Sequence, residues 1–203
     1  MLSLGIFSGA IVSTSSPDDA RICAEIQVEA DLRGVHSHGT RAIVGYIRQI
    51  QAGEINPTPD IVTVRERPAF AHIDGDTGLG QVVAHRSNII AIEKAKTSGI
   101  GLVLARNSNH YGAAAYYASM SAKADVIGFN CTGSRRLSGN MAAFGSIDPI
   151  LGNNPLAYGI PAGTNHPIIL DMATGVVAAG KVGLARTRGE SIPEGWAITA
   201  EGN

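Results

Sequence analysis

The chain lacks an excess of charge of either sign, and that absence excludes the most. Its 203 residues carry 16 Lys and Arg against 17 Asp and Glu, a formal net charge of −1. Long-range attraction to nucleic acid or to an anionic membrane needs a basic excess, so neither partner is expected. Cysteine is scarce. Cys23 and Cys131 stand far apart without metal-ligand spacing and read as buried thiols of a reducing, cytoplasmic compartment. A reactive thiol is the rival reading, but neither cysteine sits in an electropositive run. No apolar run approaches the length of a membrane span. Internal repeats and low-complexity tracts are missing. There is no G-x-S-x-G, so a nucleophile-elbow hydrolase has no support.

What is present suits a folded domain. Apolar residues make up 44% of the chain and charged residues 16%, a globular balance that argues against disorder. Residues 1–15 read as an irregular N-terminal segment and residues 16–203 as one domain. Met1 to Val12 is apolar and loosely resembles a signal peptide, yet it has no basic start, and Gly5 and Gly9 interrupt it.

From Ser16 onward helices and strands alternate. Ser16 is a good N-cap, Pro17 suits the first helical position, and Asp18 and Asp19 favour the positive helix end. The helix continues to about Leu32, with Gly34 ending it. A second helix is predicted from Thr40 to Gln51, with an Ile43–Ile47–Ile50 stripe. Short strands follow at 61–64 and 70–73, then a tight turn over 75–80 and a long helix over 81–97. A buried strand is predicted at 100–105, a helix at 112–123, a strand at 126–130, a glycine-bearing loop, a strand at 168–170 and a helix at 176–186. The alternation implies a layered α/β domain with a mainly parallel or mixed sheet and flanking helices. Ligands in such folds gather at strand ends and helix starts.

His36-Ser37-His38 is the most chemically loaded stretch. A histidine of near-neutral pKa can give or take a proton, and a neighbouring hydroxyl can orient it. Arg33 and Arg41 flank the stretch and could hold a carboxylate through two parallel hydrogen bonds. The bland reading is a polar helix–helix turn. A third reading is metal binding, since His-x-His is a common ligand spacing, but no second short-spaced ligand pair exists.

Asn107 to Gly112 follows a strand and opens a helix, whose first N–H groups could cradle a phosphate. Gly112 and Ala113 to Ala115 leave room for a flat or charged ligand. The alternative is a capped helix with a surface His110. Gly78-Leu79-Gly80 begins a dinucleotide fingerprint but ends wrongly at Val83, and reads as a turn feeding a helix. Gly175 to Lys181 mimics a phosphate loop without its final Ser or Thr, and reads as a buried helix with a close-packing glycine. Asp171 at a strand end can cap a helix or serve a site.

Several stretches, in order, carry a resemblance. They are Glu29-Ala-Asp-Leu-Arg-Gly-Val-His-Ser-His-Gly39, Asn107-Ser-Asn-His-Tyr-Gly112, Gly152-Asn-Asn-Pro-Leu-Ala157, Leu170-Asp-Met-Ala-Thr174, Gly189-Glu-Ser-Ile-Pro-Glu-Gly-Trp196 and Ala200-Glu-Gly-Asn203. The chain resembles the malate/L-lactate dehydrogenase family of non-Rossmann type, which includes ureidoglycolate and sulfolactate dehydrogenases and cyclic-imine-carboxylate reductases. The resemblance implies an α/β NAD(P)-binding fold like that of sulfolactate dehydrogenase. It also implies NAD or NADP as cofactor, a small 2-oxo or 2-hydroxy acid as substrate, and a homodimer with sites near the interface.

It implies residue roles as well. His38 would donate the proton to the carbonyl, with Ser37 as relay. His110, Tyr111, Gly112, Ala113 and Ala114 would touch the cofactor, as would Asp171, Met172 and Ala173. Asn153 and Gly180 would lie near substrate, and no metal is implied. The family's substrate arginine often falls four residues after the histidine, where this chain has Ala42. Arg41 is the expected substitute, although one residue on a helix turns the side chain by about 100°. Lys181 stands where the imine reductases have an acid, which favours a hydroxy acid. The arginines of the loop 134–139 are candidate extra anion contacts. Relatives continue past Ala-Glu-Gly-Asn, so the chain is expected to be C-terminally incomplete. Two rival functions follow: an inactive remnant that binds nucleotide or only dimerises, and a metal-dependent hydrolase using His36 and His38.

Overall fold

The computed structural model describes residues 15–133, 141–199 and 202. Helix α1, Pro17–Leu32, starts where the sequence places it: Ser16 Oγ accepts from the Asp19 N–H at 3.2 Å, Pro17 opens the first turn, and two aspartates sit there. Its apolar face buries Ala20, Cys23, Ile26 and Ala30. The chain leaves through Gly34, whose φ of 76° suits glycine. The second helix divides in two. Thr40–Ala42 is a 3-10 turn, and helix α2 runs Ile43–Gln51. The split has a local cause, because Thr40 is held from outside by a side chain of α1.

The first sheet contains β1 (Val62–Arg67), β2 (Phe70–Gly78) and β3 (Leu102–Ser108), in the order β1-β2-β3. β1 and β2 are antiparallel, whereas β2 and β3 are parallel. Helix α3, Gly80–Ser98, is the crossover that parallel pairing requires. The expected tight turn over 75–80 is instead the irregular end of β2. Asp76 and Thr77 take positive φ (47° and 54°), and the register shifts between Asp74 and Gly78. The Asp74 carboxylate holds this irregularity, accepting from the Asp76 N–H, Arg106 Nε and Asn107 Nδ2. β3 is not buried as expected. It is the edge of its sheet, and Leu102 and Leu104 are each 52% exposed.

The second sheet is antiparallel throughout: β4 (Gly128–Cys131), β5 (Leu156–Ile160) and β6 (Ile168–Met172). The mixed sheet with flanking helices that the alternation implies is thus present, and a second, antiparallel sheet accompanies it. β5 lay in the stretch read as loop. Helix α4, Ala115–Lys123, starts three residues later than expected and covers one face of this sheet. Ala118 and Ala157 are fully buried there. Cys131, expected to be buried, is exposed on β4, while Cys23 is buried.

Helices α3 and α4 pack against each other between the sheets, with α1 across both. Buried Asn88 of α3 ties them, donating to Tyr117 O at 3.0 Å and accepting from Asn130 Nδ2 of β4 at 3.2 Å. The main apolar cluster joins Ile22 and Ile26 of α1, Tyr46 of α2, Val82 of α3 and Tyr117 of α4. Helix α5, Ala179–Arg188, starts three residues after its expected first residue, and Val176 before it is 81% exposed, not part of a buried helix. Among the described residues no helix is long and apolar enough to cross a membrane.

Ile26→Ala removes a side chain with 0% exposure and is expected to cost about 3 kcal/mol of unfolding free energy. Leu32→Ala, at a position 83% exposed, is expected to stay within about 0.5 kcal/mol of the parent. Denaturant titration checks both, and equal losses would contradict the assigned core.

Candidate active site

The loop between α1 and α2 is pinned from behind by one carboxylate. Asp31 Oδ2 accepts from the Thr40 N–H (2.9 Å) and hydroxyl (2.7 Å), while Oδ1 lies 3.0 Å from His36 Nδ1. Gly39 lies so close that a Cβ there would collide with the same carboxylate. The exposed His36 is therefore turned to Asp31, and His38 is turned the other way.

Ser37 Oγ and His38 Nδ1 share a 2.9 Å hydrogen bond. The His38 ring stacks on His110, with centroids 5.4 Å apart. His110 Nδ1 in turn shares a 2.6 Å hydrogen bond with the Tyr46 hydroxyl. Four side chains from α2 and two loops thus form one line. Loss of hydration lowers the pKa of His38, and the Asp171 charge partly restores it. His110 keeps one edge open to the cleft, but the protein packed around it lowers its pKa to about 4, with His38 adding to the effect. Burial raises the Tyr46 hydroxyl to about 12.

Ser37, His38 and His110 face a cleft of about 1760 Å³ between β3 on one side and β4, β6 and the start of α5 on the other. Ser37, His38, Asn153, Asp171, Met172, Ala173 and the whole stretch His110 to Ala114 line it. Asp171 acts as a helix cap: Oδ2 accepts from the Ala115 N–H at 2.7 Å, across from β6 to α4. The helix start proposed for a phosphate is thereby already met by a carboxylate. Asn153 O accepts from the Thr174 N–H at 3.0 Å and fixes the chain after β6. Gly180 packs on the loop between α1 and α2, since a Cβ there would stand 3.1 Å from Ser37 Cβ.

Arg41 is not brought to this cleft. It is exposed in the 3-10 turn and absent from the lining. The lining cations among the described residues are Arg106 and Lys181. Arg106 is paired with Asp74 at 3.0 Å, whereas Lys181 makes no ion pair among the described residues. The arginines of the loop 134–139 lie outside the described residues, as do residues 1–14. Among the described residues no three His, Cys, Asp or Glu side chains gather as a metal site. Asp31 and Tyr46 escaped the sequence reading. Asp31 lay within the motif that carried the resemblance, but its reach to Thr40, nine residues on, is visible only once the loop folds back.

An α/β chain that gathers a serine–histidine pair, a second histidine and a carboxylate at one cleft has the groups of a proton-transfer site. Residues 11–203 match the malate/L-lactate dehydrogenase family, and the chain belongs to it. It is 52% identical over 186 residues to malate dehydrogenase of Pyrococcus horikoshii, covering 92% of this chain and 51% of that one. It is 35% identical over 185 residues to ureidoglycolate dehydrogenase (NAD(+)) of Escherichia coli K12, covering 91% and 52%. The solved sulfolactate dehydrogenase of Methanocaldococcus jannaschii superposes with a TM-score of 0.89 at 40% identity, covering 99% of this chain and 58% of that one. The chain spans about half the length of the curated relatives it matches.

A dinucleotide fits what is present. The cleft exceeds the roughly 300–1,000 Å³ of small-molecule pockets. Two of its lining residues carry buried polar atoms without a partner, Tyr111 Oη and Asn130 Oδ1. Such atoms are costly unless a ligand or solvent meets them.

Asp31→Asn is expected to lower unfolding free energy at neutral pH by about 2 kcal/mol, because a charged acceptor of several hydrogen bonds is lost. Burial raises the pKa of Asp31, but the Thr40 and His36 hydrogen bonds outweigh it and the net shift is downward. A carboxylate lowered on folding contributes stability above its unfolded pKa, and the contribution disappears as pH falls through the folded value. The gap between wild type and variant should therefore close in acid. A gap independent of pH would contradict the clamp.

Proposed function

We propose that the chain interconverts small 2-oxo acids and 2-hydroxy acids with NAD or NADP, and that His38 moves the proton. The observation that carries this reading is the Ser37–His38–His110 line at a cleft that Asp171 also borders. Bound NADH or NADPH would supply the hydride. Tyr111 to Ala114, Met172, Ala173 and Asn130 are the residues that would hold it. His110 and Asp171 border both the cofactor and the reacting groups.

Protonated His38 gives its proton to the oxygen of the substrate carbonyl, and in the oxidative direction neutral His38 takes it back. The Ser37 hydroxyl holds Nδ1, which leaves Nε2 for substrate. Asp171 stabilises the imidazolium form. Lys181, beside Gly180 on Ser37, is better placed than Arg41 to meet the substrate carboxylate, with Asn153 on the same wall. Assembly as a homodimer belongs to this reading. Phe129, Tyr158 and Leu170 are direct cross-strand neighbours, which puts these exposed apolar residues on the open face of the second sheet.

Absorbance of NADH or NADPH in the presence of a panel of 2-oxo acids tests the proposal. Wild type should oxidise one of the cofactors, and His38→Ala should lose about 100-fold or more in kcat. Activity of the variant close to wild type would contradict the assignment of His38. The lowered pKa of His38 sets the pH profile. Oxidation of a 2-hydroxy acid should rise with pH, with the midpoint of the rise below the ordinary histidine value of 6.5. Reduction should run the opposite way. A second reading is nucleotide binding without turnover. It would show as NADH binding by a folded protein that oxidises none of it.

A further inference from the structure

Behind the histidine pair lies a polar well that the proposed proton transfer does not use. Tyr46 reaches His110 from α2, and two fully buried glutamines, Gln27 of α1 and Gln81 of α3, stand around its hydroxyl. All four amide atoms of these glutamines lack a partner of full hydrogen-bond geometry. Buried amides of this kind are rare unless they serve a polar neighbour.

We infer that Tyr46 is a positioning residue of this site: its hydroxyl donates to His110 Nδ1 and holds His110 in the tautomer whose Nε2–H is left for the cleft. The inference rests on the proposed function for its consequence, but not for its geometry. A neutral imidazole has one donor and one acceptor nitrogen, and the partner of one decides the other. His110 is neutral at physiological pH, as its surroundings dictate. Tyr46 stays a hydroxyl. The 2.6 Å separation puts the hydroxyl in close hydrogen-bond contact with Nδ1. The Gln27 and Gln81 amides that stand around the Tyr46 hydroxyl have no other partner, so their NH2 groups are free to serve its lone pairs. With its lone pairs facing those donors, the phenol has its own proton left for Nδ1. The fixed Nε2–H then stands beside His38 as a second, uncharged donor on the wall where the reacting oxygen would sit.

The test is nitrogen-15 NMR of the histidines in the full chain, with Tyr46→Phe as the variant, which removes only the hydroxyl. Wild-type His110 should show a protonated Nε2 and an acceptor Nδ1, and the variant should shift toward a mixture of tautomers. Under the proposed activity, kcat of the variant should fall about tenfold with little change in KM, because orientation and not binding is lost. A protonated Nδ1 in wild type, or a His110 signature unchanged in the variant, would overturn the inference. The wild-type spectrum decides even if the variant fails to fold. Absence of oxidation of both NADH and NADPH by wild type would refute the proposed function instead, and the NMR result would still decide the role of Tyr46.

Discussion

One carboxylate sets the geometry of the loop that carries His36, Ser37 and His38. Asp31 sits at the end of α1 and takes hold of Thr40 and His36, so the loop between them has one shape. Without that hold, two glycines and two histidines would join α1 to α2 with little to choose among conformations. With it, His36 is fixed on the solvent side and His38 on the cleft side. The Ser37–His38 hydrogen bond, the stacking on His110 and the contact with Gly180 all follow from that choice.

The rest of the fold brings distant segments to this loop. The two sheets do not share strands. They are joined by helices α3 and α4, and the cleft opens where the sheets face each other. Asp171 links the two sides directly, since it leaves the end of β6, caps α4 and lies near enough to His38 to raise its pKa. A single side chain thereby fixes the helix start that follows Ala113 and Ala114, and its charge acts on His38. This is the juxtaposition of strand end and helix start where α/β folds place ligands.

Much of this was legible in the sequence where the signal was local. Ser16-Pro17-Asp18-Asp19 announced α1 because capping chemistry acts within one turn. The His36–His38 and Asn107–Gly112 junctions stood out because polar residues interrupt apolar runs there, and family resemblance then attached roles to them. Non-local features were not legible. Asp74 turns an apparent tight turn into an irregular strand end only after β3 arrives beside β2. β5 hid in a glycine-rich stretch because Gly159 serves close packing on α4 and not a turn. Tyr46 carries no local signal, and its hydroxyl acquires meaning only 64 residues later, at His110. Arg41 was chosen for its charge and its nearness in sequence, but the 3-10 turn carries it away from the cleft.

The central claim is direct hydride transfer at this cleft, and isotope transfer tests it most directly. The full chain would be incubated with NADH deuterated at both C4 positions and a 2-oxo acid, and the product analysed by mass spectrometry. The account predicts a 2-hydroxy acid carrying one deuterium at C2. A folded chain that binds NADH yet forms no deuterated product with any 2-oxo acid would contradict it.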